Sequence, residues 1–229
     1  MQEKIKIISV GGSIIIPKTG FDLDYLKKFR KLILDEVKKG YKFVLVIGGG
    51  STCRAYQEAA KGVVKMSDTD LDWLGIYTTH FNAEFVRLLF GDQAYAEVIK
   101  NPTKKIKNNK PIILAGGWVP GCSTDRDAVL LAKNFKAKEV INLSNFDFVY
   151  SADPKKDSNA KPYTKLSWVE MRKIVGDKWN PGANLPFDPM AVKEAQKFGL
   201  KVSFVSGADL VEVKKAVEGQ PFQGTIVQS

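Results

Sequence analysis

Hydrophobic and polar positions along this 229-residue chain follow two alternating periods. Residues 4–10 are β-rich and read as a strand, and 43–47 are a near-continuous apolar run, as expected of a strand covered on both faces. Residues 22–39, 52–61 and 69–90 carry apolar side chains at three- and four-residue spacing, which predicts helices. The last of these is long and core-like, with Leu71, Leu74, Ile76, Phe81, Phe85, Leu88 and Leu89. Shorter strands are predicted over 94–99, 111–115, 139–143, 202–205 and 225–227, and helices over 125–135, 167–175, 189–198 and 210–217. Strands alternating with helices imply βαβ units, hence an α/β fold: a three-layer α/β/α sandwich around a mostly parallel sheet. No repeat, linker or low-complexity tract interrupts residues 1–229, so one domain is expected. The most loop-like stretches are 155–162 and 179–189, and such loops around a parallel sheet commonly grip ligands.

Two of the strands run straight into glycine. Residues 4–10 feed Gly11-Gly12-Ser13, and 42–47 feed Gly48-Gly49-Gly50-Ser51-Thr52. Glycine lets a ligand approach the backbone closely, and a helix that opens just beyond supplies unpaired N–H groups and partial positive charge. Either cluster alone could be only a tight strand-to-helix turn; two in one chain suggest a phosphate cradle.

Composition narrows the chemistry. A formal charge of +10 suits anionic small substrates, because the lysines are dispersed and no basic run is interleaved with aromatics as nucleic-acid binding would require. No apolar run reaches membrane-spanning length, and the first residues lack the apolar core of a signal peptide, so a cytoplasmic protein without membrane association is expected. One histidine and two distant cysteines argue against a disulfide framework and against a resident metal site. Neither a P-loop motif nor GxGxxG is present.

Three further segments carry polar chemistry. The helix pattern from Asp72 to Ala83 includes Gly75, Thr79 and Asn82 among its apolar positions. The stretch from Gly116 to Asp125 (GGWVPGCSTD) follows one strand and opens a helix; Thr124 or Asp125 could be a plain N-cap, or part of an acceptor-binding loop. The stretch from Asn145 to Lys156 (NFDFVYSADPKK) follows another strand.

Taken in order, the motifs GGS, GGGxxxR, DxxGIxxTxxNA, GGxxPGxxTD and DxVYxADPKK resemble the amino acid kinase superfamily, and within it the archaeal type of uridylate (UMP) kinase. The resemblance spans Gly11 to Thr225; the ADPKK and PGxxTD segments are its specific part. It implies the amino acid kinase fold, with an acceptor-binding part over about 1–140 and an ATP-binding part over about 141–229. The reaction implied is transfer of the ATP γ-phosphoryl to UMP with Mg²⁺ as cofactor, in a homo-oligomer, by family habit a hexamer. Carried over by position, Gly12, Gly49, Asp188 and Lys155 would be catalytic. Gly48, Gly49, Arg54, Asp72, Thr124 and Asp125 would hold UMP. Gly11, Gly12, Ser13, Asn145, Tyr150, Asp153, Pro154 and Lys155 would hold ATP. In this reading Gly11, Gly12, Gly48 and Gly49 supply N–H donors, Arg54 grips the UMP phosphate, and Asp188 organises the transfer site.

The chain departs from the family pattern at Ser9-Val10, where many members carry a first-strand lysine, and at His80, Trp118 and Phe148. Another cation would then meet the transferred charge, with Lys155 and Lys156 the candidates. Two alternatives follow from these departures: a sister kinase acting on another small acid or monophosphate, or a non-catalytic nucleotide-binding or storage protein of the same fold.

Overall fold

The structure, a computed structural model, describes residues 4–178 and 185–229. Its centre is a seven-stranded sheet in the order β3-β2-β1-β4-β8-β9-β7. The strands are β1 (Lys4–Val10), β2 (Tyr41–Ile47), β3 (Ile112–Ala115), β4 (Glu139–Ser144), β7 (Lys165–Ser167), β8 (Lys201–Ser206) and β9 (Thr225–Gln228). All neighbours run parallel except β8 and β9. The two short strands β5 (Val149–Tyr150) and β6 (Pro162–Tyr163) form a separate antiparallel hairpin.

Successive residues of each strand face opposite layers, so a continuous apolar run fills two cores at once. Ile7, Val44, Val46 and Val140 pack with α5 (Thr124–Asn134), α6 (Trp168–Val175) and α7 (Pro189–Lys197). Ile8, Val10, Leu45, Ile47 and Ile141 pack with α2 (Leu23–Lys38), α4 (Asp68–Phe90) and α8 (Leu210–Glu218). From α2 alone, Leu26, Phe29 and Ile33 enter this second core, each burial contributing about 1.5–3 kcal/mol before entropy is charged. The remaining helices are α1 (Gly12–Ile15) and α3 (Gly50–Val63). The three-layer α/β/α expectation is met. No helix of the described residues is long and apolar enough to cross a membrane.

Three local expectations are corrected. Residues 94–99 form no strand: only Ala94 and Ile99 bridge to β3, at Ile112 and Ala115, while Ala96 and Glu97 between them are exposed. The Gly11-Gly12-Ser13 turn opens directly into the short helix α1, as expected of a helix just beyond the glycine cluster. The loop-like stretch 155–162 ends in β6, which pairs with β5, and β7 follows where no strand was expected. Strands of two or three residues are too short to show a period, so pairing partners decide them. In the 179–189 stretch, 179–184 lie outside the described residues.

The strand order places β1 between β2, which leads on to β3, and β4, which leads on to β8. The chain thus winds in opposite directions from the two sides of β1. In open parallel sheets the crevice at the carboxyl ends of such strands is the usual ligand site. The loops after β1, β2, β3, β4 and β8 all open there.

Candidate active site

At the carboxyl ends of β1 and β2 the two glycine turns lie backbone against backbone. A Cβ on Gly12 would stand 2.0 Å from the Gly50 nitrogen and 2.6 Å from the Gly48 carbonyl carbon, so no other residue fits there. The Gly11 N–H donates to Leu143 O (2.8 Å) and the Gly48 N–H to Val10 O (3.0 Å). These two donors are spent tying the ends of β1, β2 and β4 together, which corrects the expectation that Gly11 and Gly48 offer N–H groups to a phosphoryl group. The N–H groups left by helix geometry are those at the starts of α1 and α3, at Gly12, Ser13, Gly49 and Gly50. Gly49 is right-handed (φ −73°) and Gly50 left-handed (φ +65°). Successive residues of opposite hand turn their N–H groups into one concavity, an anion nest. From α4, the Asn82 amide donates to Gly48 O (3.0 Å) and Gly49 O (2.9 Å). Arg54 stands one turn into α3, exposed and without a hydrogen-bond partner among the described residues.

Helix α4 also holds the loop after β3. Thr79 Oγ1 accepts from the Gly117 N–H (2.7 Å), and His80 Nε2 lies 2.7 Å from Gly117 O. Burial pushes the His80 pKa down, so the ring is neutral near pH 7 and its Nε2–H donates to that carbonyl. Asp72, half-buried at the start of α4, accepts from the Gly121 N–H (2.8 Å). One helix thereby clamps residues 117–121 at two points. Ser123, and not Thr124 or Asp125, is the N-cap of α5; its hydroxyl accepts from the Asp125 N–H. Thr124 sits half-buried on the first turn.

Three carboxylates meet behind this loop. Asp125 Oδ1 accepts from Ser9 Oγ and from Asn142 Nδ2, both at 2.9 Å. Asp127 Oδ2 accepts from the Trp118 N–H (3.2 Å), and its Oδ1 is buried with no partner. Asp188, 3% exposed, caps α7 through Met190 and Ala191 and also accepts from the Ser123 N–H at 2.7 Å. Desolvation is the largest influence on two of them, raising Asp125 to about 6 and Asp127 to about 7; the Asp188 charge adds to it. Ser9, on the strand where a lysine was looked for, is therefore a hydrogen-bond partner of Asp125.

The carboxyl end of β4 and the β5–β6 hairpin form a separate cleft of about 340 Å³. Asn145, Tyr150, Asp153, Pro154 and Lys155 line it, together with apolar side chains that include Phe146 and Ile174. The Tyr150 hydroxyl donates to Asp147 Oδ1 (3.1 Å). Asp153 Oδ1 accepts from the Lys155 N–H (3.0 Å) and rigidifies the ADPKK turn, leaving the Lys155 side chain exposed at its edge. Gly11, Gly12, Ser13, Gly48, Gly49 and Asp125 thus gather at the strand ends. Asn145, Tyr150, Asp153, Pro154 and Lys155 gather in the neighbouring cleft.

Ser9, Asp127 and Asn142 were not recognisable as part of this arrangement from the sequence. They are isolated polar residues in apolar or helical runs, and only the fold brings them to Asp125 and Trp118. Asn82 and His80 were visible as polar residues on a core-like helix, but not the backbone groups they hold.

A model of the amino acid kinase family matches residues 4–206. The uridylate kinase of Methanocorpusculum labreanum is 31% identical over 226 residues, covering 96% of this chain and 94% of that protein. The uridylate kinase of Pyrococcus abyssi is 31% identical over 225 residues, covering 97% and 98%. Among solved structures, the uridylate kinase of Archaeoglobus fulgidus superposes with a TM-score of 0.80 at 29% identity, covering 96% of this chain and 99% of that one. The UMP kinase of Bacillus anthracis shares the fold at a TM-score of 0.77 and 20% identity, covering 98% and 96%.

Proposed function

The chain belongs to the amino acid kinase family, and from that premise we propose that it is a UMP kinase, transferring the γ-phosphoryl group of ATP to UMP to give UDP and ADP. The observation that carries this reading is the glycine pair at the ends of β1 and β2. In the strand order β3-β2-β1-β4 these turns lie between the loop that follows β3 (residues 116–125) and the segment that follows β4 (Asn145–Lys155). A phosphoryl group passing between two nucleotides needs such a midpoint.

In this reading an oxygen of the UMP phosphate attacks the γ-phosphorus in line and the bond to the ADP oxygen breaks. No covalent protein intermediate is needed; catalysis comes from positioning and from donors aimed at developing charge. Gly12 and Gly49 donate to the moving group. Arg54 anchors the acceptor phosphate through a two-pronged guanidinium contact. Asp72, Thr124 and Asp125 shape the acceptor pocket, and Asp188 fixes its loop against α7. Tyr150, Asp153 and Pro154 bracket the adenosine, and Lys155 supplies a cation. Magnesium bound to the ATP phosphates would neutralise part of their charge. Among the described residues no group of three or more His, Cys, Asp or Glu is placed to hold a metal. Residues up to about 140 would form the acceptor part and 141–229 the donor part. The exposed aromatic side of α4 (Trp73, Tyr77 and Phe81) would bury itself in a homo-oligomer, a hexamer by family habit, which light scattering on the purified protein tests.

The deciding experiment is a coupled ADP-release assay with ATP and Mg²⁺ against UMP, CMP, dUMP and isopentenyl phosphate. Turnover fastest with UMP supports the reading. Turnover with another acceptor alone favours a sister kinase, for which the Trp118 backbone anchored on Asp127 is the specific observation.

A further inference from the structure

Asn82 is 1% exposed, yet it belongs to none of the groups just assigned to substrates. Both hydrogens of its amide are used on one target, the carbonyls of Gly48 and Gly49. Its own oxygen is buried without a partner. An amide placed only to stabilise a core would normally satisfy that oxygen as well. This one leaves it unmet while holding two consecutive peptide groups.

The consequence is stereochemical. In a trans peptide the N–H points opposite to the C=O of the same unit. Holding Gly48 O against α4 turns the Gly49 N–H away from α4, and holding Gly49 O does the same for the Gly50 N–H. Away from α4 lies the other glycine turn, because the Gly50 nitrogen faces the Cα of Gly12. The Gly50 N–H is therefore turned towards Gly12, whose backbone packs against it, and the Gly49 N–H, on the less buried residue, is the one left to face a ligand. Gly50 could rotate freely in a loop, since it tolerates positive φ at no cost. The Gly48 and Ser51 N–H groups are held by Val10 O (3.0 Å) and Ile16 O (3.1 Å), and the Cys53 N–H holds Gly49 O (3.2 Å), but of these contacts none holds both carbonyls as Asn82 does.

We infer that Asn82 is a positioning residue of phosphoryl transfer: it touches no substrate, but by holding the Gly48 carbonyl it aims the Gly49 N–H at the transferred group, and by holding the Gly49 carbonyl it keeps the Gly50 peptide seated against Gly12. The inference rests on the phosphoryl-transfer reading above. Donors that are pre-aimed act mainly on the transition state, so their loss lowers kcat more than it raises KM.

The test uses Asn82→Ser, whose hydroxyl reaches at most one carbonyl, and Asn82→Asp, which sets a carboxylate against both. Both are measured with ATP, Mg²⁺ and UMP, and with [¹⁵N]glycine-labelled protein titrated with pyrophosphate. The expected result is a kcat at least tenfold lower in both variants with KM for UMP within threefold. In the wild type, pyrophosphate moves the Gly49 and Gly50 amide resonances, and in Asn82→Ser it does not. Variants that keep kcat within twofold of wild type overturn the inference, as does a kcat that returns in full on cooling, the mark of a merely structural role. If neither variant folds, the wild type decides: in uniformly ¹⁵N-labelled protein the Asn82 side-chain amide and the Gly49 and Gly50 amides must shift together with pyrophosphate, and no shift overturns it. A wild type that binds pyrophosphate at these glycines but turns over no acceptor defeats the kinase reading and leaves the nest itself standing.

Discussion

Asp188 links two elements far apart in sequence, and that link sets the size of the effect when it is changed. One carboxylate oxygen accepts from Met190 N (2.6 Å) and Ala191 N (3.4 Å), capping α7; the other accepts from the Ser123 N–H (2.7 Å), the entry to α5. In Asp188→Ala both are lost. The cap is worth about 1 kcal/mol, and a buried N–H left at Ser123 without its acceptor costs about 1–3 kcal/mol more. In Asp188→Asn the amide oxygen still caps α7, but the NH₂ group then faces the Ser123 N–H, donor against donor. Asn therefore loses roughly the second amount alone, about 1–3 kcal/mol. At about 2–4 °C per kcal/mol for a chain of this length, Tm falls by roughly 2–12 °C in Asp188→Asn and further in Asp188→Ala. Because Ser123 closes the loop that the acceptor is proposed to occupy, KM for UMP rises in the same order. Scanning calorimetry and steady-state kinetics on the three proteins check both. An Asp188→Asn protein with unchanged Tm and unchanged KM would refute the argument that the second oxygen holds the loop. Unchanged KM with a lowered Tm would reduce Asp188 to a helix cap.

Arg54→Ala is expected to raise KM for UMP at least tenfold, about 1.4 kcal/mol, while leaving KM for ATP within twofold; equal effects on both substrates would remove Arg54 from the acceptor phosphate. Lys155→Ala or Lys156→Ala should lower kcat at saturating ATP and Mg²⁺, whereas Lys4→Ala and Lys6→Ala should not, since Lys6 pairs with Glu139 at the opposite end of the sheet; four wild-type values would leave charge neutralisation to the backbone donors and the metal. Asp127, raised to about 7 by burial, binds its proton more tightly folded than unfolded. Stability therefore falls as pH rises from about 4, near the unfolded value, through about 7. Asp127→Asn should flatten that fall and raise Tm at pH 8 but not at pH 4; calorimetry at the two pH values decides, and an equal change at both would contradict the raised pKa.

Much of the fold was legible because its cause is local. β1 and β4 read as strands, the apolar run of β2 as a strand buried on both faces, and α2, α4 and α5 read from three- and four-residue spacing, because those periods follow from backbone geometry alone. Glycine at 12 and 48 was equally legible as a sign of close approach. What it approached was not: the sequence suggested a ligand, and the structure puts the backbone of the other turn there. Segment 94–99 read as a strand because its composition is apolar, but only the length of β3 decides how many of its residues find a partner.

By itself, then, the sequence determined the alternation of strands and helices, the positions of the glycine turns, and the segments Gly116–Asp125 and Asn145–Lys156 on which the family resemblance rests. These depend on periodicity, on conformational freedom and on residue order, all properties of neighbours in the chain. Tertiary structure alone decided which N–H groups remain available, that Ser9 and Asn142 share Asp125, that Asp188 reaches Ser123, and that α4 holds two loops, one through Asp72, Thr79 and His80 and the other through Asn82. Those contacts join residues tens of positions apart. Their hydrogen-bond distances and the pKa shifts of Asp125 and Asp127 arise from burial and proximity, which exist only once the sheet has assembled.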